Sequence, residues 1–333
     1  LAAVGVKREL DEAVDASLRM GEAMGKIQSL IPGNIARARE YKQAIADLSV
    51  QFGTSAEDLA GTTYDLISTF GDAADNIDKL RIITETSVAA NTSAKETMGI
   101  MTALTKAYGD ESAATMRKIG DLAAQTINYG VVEMPALTAG MRDAAGMASQ
   151  LGVNMDELFG VFASASSITG LGPEVGTQIT SIFRAMLQKT PEMAKAFKKA
   201  GFKGARDAIQ SSGGLGPALV KLAQQTDGTE EGLNKLFGRI EGMKLSMFLT
   251  GKGAGDFTEK MRLMGQAEGA AAEMFKGSTG GLAKQAYQAR KTKAEMEQLR
   301  VKVGDDLAPA WNTLNKEILG FETAIGKDLH QVL

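Results

Sequence analysis

Phe52-Gly53-Thr54-Ser55-Ala56-Glu57-Asp58-Leu59 reads as the end of one helix and the start of the next. Glycine takes the left-handed position that closes a helix, because it has no Cβ to clash there. Thr54 with Glu57, and Ser55 with Asp58, both have the spacing of a capping box, in which a hydroxyl and an acid satisfy free N–H groups of a first turn. The device recurs at Tyr108-Gly109-Asp110 and at Leu151-Gly152-Val153-Asn154. Ser93-Ala94-Lys95-Glu96 is another capping box, and Thr190-Pro191-Glu192 a cap followed by proline at the first helical position.

Between these stops the apolar residues fall in steps of three and four, the helical period. The stripes run Leu59, Thr63, Leu66, Ile67, Phe70; Met98, Met101, Leu104, Tyr108; Met155, Leu158, Phe159, Phe162; and Val175, Ile179, Ile182, Phe183, Met186. Tyr129 to Glu133 is the one short candidate strand. Aromatic residues make up 5% of the chain and hydrophobic residues 44%, a mixture that favours helices over sheets. The expected fold is all-α: a multi-helix bundle with short glycine-punctuated connections and a longer C-terminal heptad-like helix. A single rod of 333 residues would span about 500 Å, and the stops recur too often for that. The chain divides into an N-terminal helical segment at 1–50, a core helical domain at 51–305 and the C-terminal helix at 306–333.

That last helix is expected to begin after Gly304-Asp305-Asp306, with Pro309 in its first turn or kinking it. Leu307, Trp311, Leu314, Ile318, Phe321 and Ile325 approximate a heptad seam, the pattern of helices that pair along their length. The seam serves either self-association or docking onto the chain's own core.

The formal net charge is −3, which argues neither for a nucleic-acid binder nor for a membrane-surface protein. Its distribution is uneven. Residues 51–160 carry 15 acidic and 7 basic side chains, and residues 161–310 carry 15 acidic and 21 basic. The densest basic stretch is Lys195, Lys198, Lys199, Lys203 and Arg206; a second is Arg290, Lys291 and Lys293, near Tyr287. Such clusters can touch phosphates, and are more often solvated helix faces.

Catalytic chemistry finds little support. With no cysteine, disulfides, thiolate catalysis and cysteine-based zinc sites are excluded, and any histidine-dependent site would rest on His330 alone. The acid pairs Glu57/Asp58, Asp110/Glu111, Asp156/Glu157 and Glu230/Glu231 sit at helix starts, where each acid offsets the helix dipole by about 1 kcal/mol or less. Gly170-Leu171-Gly172-Pro173-Glu174-Val175-Gly176 lacks the spacing of a dinucleotide loop and a preceding strand. Gly213-Gly214-Leu215-Gly216-Pro217 reads as a flexible connector. The uncharged run from Leu158 to Pro173 is too short for a membrane span and contains four hydroxyls, so a buried core helix is expected. No catalytic residue, cofactor or metal is assigned. Leu1, inside charged amphipathic sequence, and Leu333, inside a helical pattern, give the expectation of an excerpt from a longer polypeptide.

The order of segments resembles the core region of phage tail tape measure proteins, of the minor tail protein family. The resemblance runs over about residues 50–320. Phe52 to Leu59 and Tyr64-Asp65-Leu66-Ile67-Ser68-Thr69-Phe70-Gly71-Asp72 are similar to its opening helices. Leu104 to Gly109 resembles its Leu-x-x-Tyr-Gly helix end, and Leu151 to Leu158 its Leu-Gly-Val-x-x-x-Glu-Leu hinge. Gly176 to Leu187, Leu236-Phe237-Gly238, Leu249-Thr250-Gly251 and Leu307-Ala308-Pro309-Ala310 follow in the same order. The resemblance implies a virion structural protein that sets tail length during assembly and takes part in DNA ejection into the host. Implied partners are further copies of the chain inside the tail tube, the tube protein, the tail assembly chaperones and the host envelope; nucleic-acid contact is only weakly suggested. Implied locations are the virion tail and, during assembly, the host cytoplasm. Two alternatives stand beside it: a helical domain of another injected or contractile-machine structural protein, and a carboxylate-based peptidoglycan hydrolase.

Overall fold

The computed structural model describes residues 2–169, 172–188, 190–226, 229–237, 242, 245–247, 251 and 253–332. It is an all-α protein, with no strand among the described residues. In chain order the helices are α1 (Ala2–Leu30), α2 (Ile35–Phe52), α3 (Ala56–Phe70), α4 (Asn76–Ala89), α5 (Ala94–Tyr108), α6 (Ala113–Tyr129), α7 (Met134–Leu151) and α8 (Met155–Thr169). There follow α9 (Gly172–Gln188), α10 (Pro191–Lys199), α11 (Ala205–Ser212), α12 (Leu215–Ala223) and α13 (Glu230–Phe237). Then come α14 (Ala254–Met264), α15 (Ala270–Thr279), a 3-10 turn at Gly281–Ala283, and α16 (Lys284–Val332).

The chain forms two units. The first joins residues 1–72 to 284–333 and the second is continuous, 73–283. In the first unit α16 packs along α1 and reaches α2 and α3. Its core holds Val14, Met20, Ile27, Ile45, Leu48, Leu59, Leu66 and Val301. Tyr41 is fully buried, and its hydroxyl donates to Asp72 Oδ1 at 2.6 Å. Arg37 lies 4.6 Å over the Tyr41 ring and pairs with the same carboxylate at 3.1 Å.

The last helix departs from expectation. It begins at Lys284, twenty residues before Gly304, and runs through Pro309. Gly304 does not stop it, because this glycine is a notch: a Cβ there would run into the Ala13 carbonyl and the Ser17 side chain of α1. The next residue completes the lock, with Asp305 accepting from Ser17 Oγ at 2.5 Å and Lys42 Nζ at 2.7 Å. Burial alone would raise the Asp305 pKa; the Lys42 and Ser17 donors outweigh it and hold the carboxyl below its usual range.

In the second unit α7 packs between α5 and α9, α8 against α6, α9 and α14, and α15 against α4 and α6. The part of the uncharged run from Leu158 to Ser166 is buried in α8, as expected from sequence, and Ser167 is exposed. Helices α7 and α9 approach to backbone contact, since a Cβ on Gly176 would stand 2.7 Å from the Cα of Gly140. The candidate strand is absent. Tyr129 ends α6, and residues 130–133 form the connection to α7, where the Val131 N–H donates to Ser166 Oγ at 3.1 Å.

Each unit contains the same hairpin. Helices α2 and α7 have 18 residues, α3 and α8 have 15, and three residues join each pair. Gly53 and Gly152 are left-handed, with φ of 63° and 79°. The residue after each glycine donates back five positions, Thr54 N to Ser49 O and Val153 N to Ala148 O. Ser55 and Asn154 then cap the second helix through the N–H groups of Asp58 and Glu157. Of the two capping boxes at the first hairpin, Ser55 is the cap, while Thr54 Oγ1 is buried without a partner. After Gly109 the cap is Ser112 rather than Asp110, whose carboxylate braces the turn through Ser112 N–H and Thr115 Oγ1.

Candidate functional site

The basic stretch gathers on α10 and the turn that follows it. Met193, Ala196 and Phe197 bury one face of α10, so Lys195, Lys198 and Lys199 occupy the opposite, exposed face. Thr190 caps the helix, accepting from Met193 N–H at 3.2 Å, and Pro191 stands at its first position. Lysines in the last turn complement the negative helix end. Gly201, with φ of 78°, reverses the chain, and Phe202 N–H closes the turn on Phe197 O at 2.8 Å.

Lys203 and Arg206 follow, both exposed. Arg206 lies across the α7–α8 loop, where a Cβ on Gly152 would stand 3.2 Å from its Nε. Lys221 of α12 adds a cation that the sequence stretch did not include, 5.7 Å over the Phe202 ring. Two open clefts flank α10. One, of about 310 Å³, has Lys195, Lys199 and Lys235 on its rim with Glu192 and Glu231; the other, of about 390 Å³, has Phe197, Lys198, Phe202 and Lys203.

Two carboxylates near this face already have partners. Asp207 accepts from the Lys203 N–H at 2.8 Å and from Ser211 Oγ at 3.1 Å, and these donors hold it below the usual carboxylate range. Glu231 pairs with Lys235 at 2.7 Å. Among the described residues Lys195, Lys198, Lys199, Arg206 and Lys221 form no ion pair.

At the start of α12 is a buried acid that the sequence treats as an ordinary first-turn residue. Glu157 of α8 is 4% exposed. Its Oε1 accepts from the Leu215 N–H at 2.5 Å and the Gly216 N–H at 3.4 Å, the first turn of α12. Gly213 and Gly214 have φ of 80° and 139°, and a Cβ on Gly214 would stand 2.6 Å from the same oxygen. The segment read as a flexible connector is therefore a receptor shaped to one carboxylate. Burial raises the Glu157 pKa above the usual value; the two N–H donors oppose that rise without cancelling it.

The arrangement recurs. Asp121 of α6, 5% exposed, accepts from the N–H groups of Gly269 and Ala271 at 3.0 Å each, at the start of α15. Asp75 accepts from the Ala113 N–H of α6 at 3.0 Å and pairs with buried Lys79 at 2.9 Å. At the opposite polarity, Lys260 of α14, 6% exposed, donates to the Ala163 carbonyl of α8 at 3.0 Å and to Ser167 Oγ, and pairs with Asp256 at 3.2 Å. The three acids clasp helix starts, whereas Lys260 holds a carbonyl within α8. Lys260 and Ser167 form a lysine–serine contact, and the lysine is committed to a carboxylate and a carbonyl.

The heptad seam is only partly in view. Leu307 is half-buried; the side chains of Trp311, Leu314, Ile318, Phe321 and Ile325, and of His330, lie outside the described residues. The second basic stretch belongs to the first unit, where Arg290 packs over Gly53 and sits 5.8 Å from the Tyr287 ring. Among the described residues no group of three or more acids or histidines gathers as metal ligands, and no helix is long and apolar enough to cross a membrane.

A family model described as phage-related minor tail protein matches residues 42–238, from within α2 to the end of α13. No curated protein and no solved structure matches the chain. The matched span covers more than half of the 333 residues, most of the first hairpin, all of the second and the whole cationic face, and the chain belongs to the phage-related minor tail protein family.

Proposed function

We propose that the chain works as part of a tail tape measure protein, setting tail length during assembly and leaving ahead of the DNA at infection. The observation that carries this reading is the order of its helix-punctuation landmarks from Phe52 to Ala310. The family match over residues 42–238 supports the phage-tail part of it. In this reading the chain lies in the tube lumen of the virion tail, alongside further copies and in contact with the tube protein. Assembly chaperones hold it in the host cytoplasm beforehand, and the host envelope receives it at ejection.

The test is tail length. Residues 73–283 are deleted or duplicated in frame in the phage gene, and tails are measured by electron microscopy. Both changes should move the length in the corresponding direction. If the segment lies in the tube as one straightened helix, the change is about 320 Å at ~1.5 Å per residue; if its helices stay stacked, it is smaller. Tails of unchanged length in both mutants would refute the length role.

A further inference from the structure

We propose that the face formed by α10, the Gly201–Gly204 turn and the Lys221 end of α12 binds nucleic acid through its phosphates, without reading sequence. This inference stands apart from the length role. The first support is uncompensated charge. Lys195, Lys198, Lys199, Arg206 and Lys221 form no ion pair among the described residues, and neither do Lys284, Lys293 and Lys302 of α16, so a variant of those three tests position rather than unpaired charge alone. Unpaired cations bring their full charge to a polyanion and release its counterions.

The second support is number: with Lys203 counted, six cations fall on α10, the turn after it and α11–α12, so several phosphates can be neutralised at once. The third is access: a Cβ on Gly201 or Gly204 would meet nothing within 4 Å, so a sugar-phosphate chain can approach the backbone between Lys198 and Lys203. The fourth weighs against a bilayer. Among the described residues the exposed large apolar side chains are Leu18, Ile35, Tyr129, Val131, Met247, Leu282, Met296 and Leu299, and none lies between residues 190 and 226. A membrane-surface helix needs such side chains to enter the lipid.

The experiment uses the whole chain and a fluorescein-labelled 30-base-pair DNA duplex, followed by anisotropy at 50 and 200 mM NaCl. With about four phosphates engaged at a salt slope of ~0.9 each, affinity should fall roughly 100-fold across that range. K195E/K198E/K199E should weaken binding at least tenfold at 50 mM and flatten the salt slope by about 2.7, three contacts' worth. K195Q/K198Q/K199Q should act in the same direction, and circular dichroism should show both variants folded. K284E/K293E/K302E, with the same charge change on α16, should bind as the wild type does. A second duplex of unrelated sequence should bind equally.

The proposal fails if the wild type does not bind at 50 mM, or if the α10 variants bind as tightly as the wild type. It fails equally if the α16 variant loses as much. Capture by phosphatidylcholine–phosphatidylglycerol vesicles without DNA binding would point to a membrane instead. Tighter binding to polyglutamate than to DNA would point to an acidic protein.

Discussion

Glu157 occupies the first turn of α8 and caps α12, which begins 58 residues later. From sequence its loss would cost about 1 kcal/mol or less, the value of a first-turn acid. The structure revises that figure, because removal strands the buried N–H groups of Leu215 and Gly216. Glu157→Ala is expected to destabilise the second unit by about 2–4 kcal/mol, and Glu157→Gln, which keeps an acceptor oxygen, by about 1 kcal/mol. Urea denaturation monitored by circular dichroism measures both. The pH dependence has a definite sign. Burial raises the folded-state pKa of Glu157, so the folded chain binds that proton more tightly than the unfolded chain does. Its contribution is fully present below the unfolded value of about 4.5 and is lost as pH rises through the raised folded value. Relative to Glu157→Gln, the wild type should therefore lose stability on going from acid to neutral pH. A flat difference between the two curves would remove the burial argument. Asp75 has the opposite sign. Burial pushes its pKa up, but its bonds from Lys79 and Ala113 outweigh that and lower it, so its contribution is lost only as pH falls below 3.8.

Among helices, glycine has two opposite meanings that helix propensity cannot separate. Gly146 lies in α7 with nothing within 4 Å of a Cβ placed on it, whereas Gly176 lies in α9 against the backbone of Gly140. Propensity alone favours alanine at both by up to about 1 kcal/mol. Gly146→Ala is expected to stabilise by about that amount. Gly176→Ala is expected to destabilise by about 1–3 kcal/mol, because a methyl group forces α7 and α9 apart and no flexible side chain can yield. Thermal melts of the two variants should shift in opposite directions. Shifts of the same sign would show that the α7–α9 crossing relaxes freely.

Taking the molecule as a whole, the two units differ in how the chain builds them. The second is one continuous stretch, 73–283, and the side chain–backbone clasps of Asp75, Asp121, Glu157 and Lys260 all close within it. The first requires residues 284–333 to meet residues 1–72. A fragment of residues 73–283 is therefore expected to fold alone, with a helical spectrum and a cooperative melt. Residues 1–72 alone should lose cooperativity, because Ala13 and Ser17 would be left without Gly304 and Asp305. A cooperative melt for 1–72, or its absence for 73–283, would overturn this division of stability.

Local chemistry determined what is local. The caps Ser55, Ser93, Asn154 and Thr190 and the left-handed Gly53, Gly109 and Gly152 were legible because each depends on atoms within five residues. The α10 lysines were legible as a cluster for the same reason, and the three-and-four apolar steps gave the buried faces of α3, α5, α8 and α9. The rest depended on partners far along the chain. Glu157 finds its N–H groups 58 and 59 residues away, Asp121 at 148 and 150, and Gly304 its notch in α1. Neither periodicity nor capping rules encode such separations. From sequence a helix stop and a helix–helix notch are the same glycine, and a dipole-facing acid and a cap for a distant helix are the same glutamate. Only the packing of α1 on α16, and of α8 against the turn before α12, chose between them: a buried N–H must find an acceptor, and two backbones in contact leave no room for a Cβ.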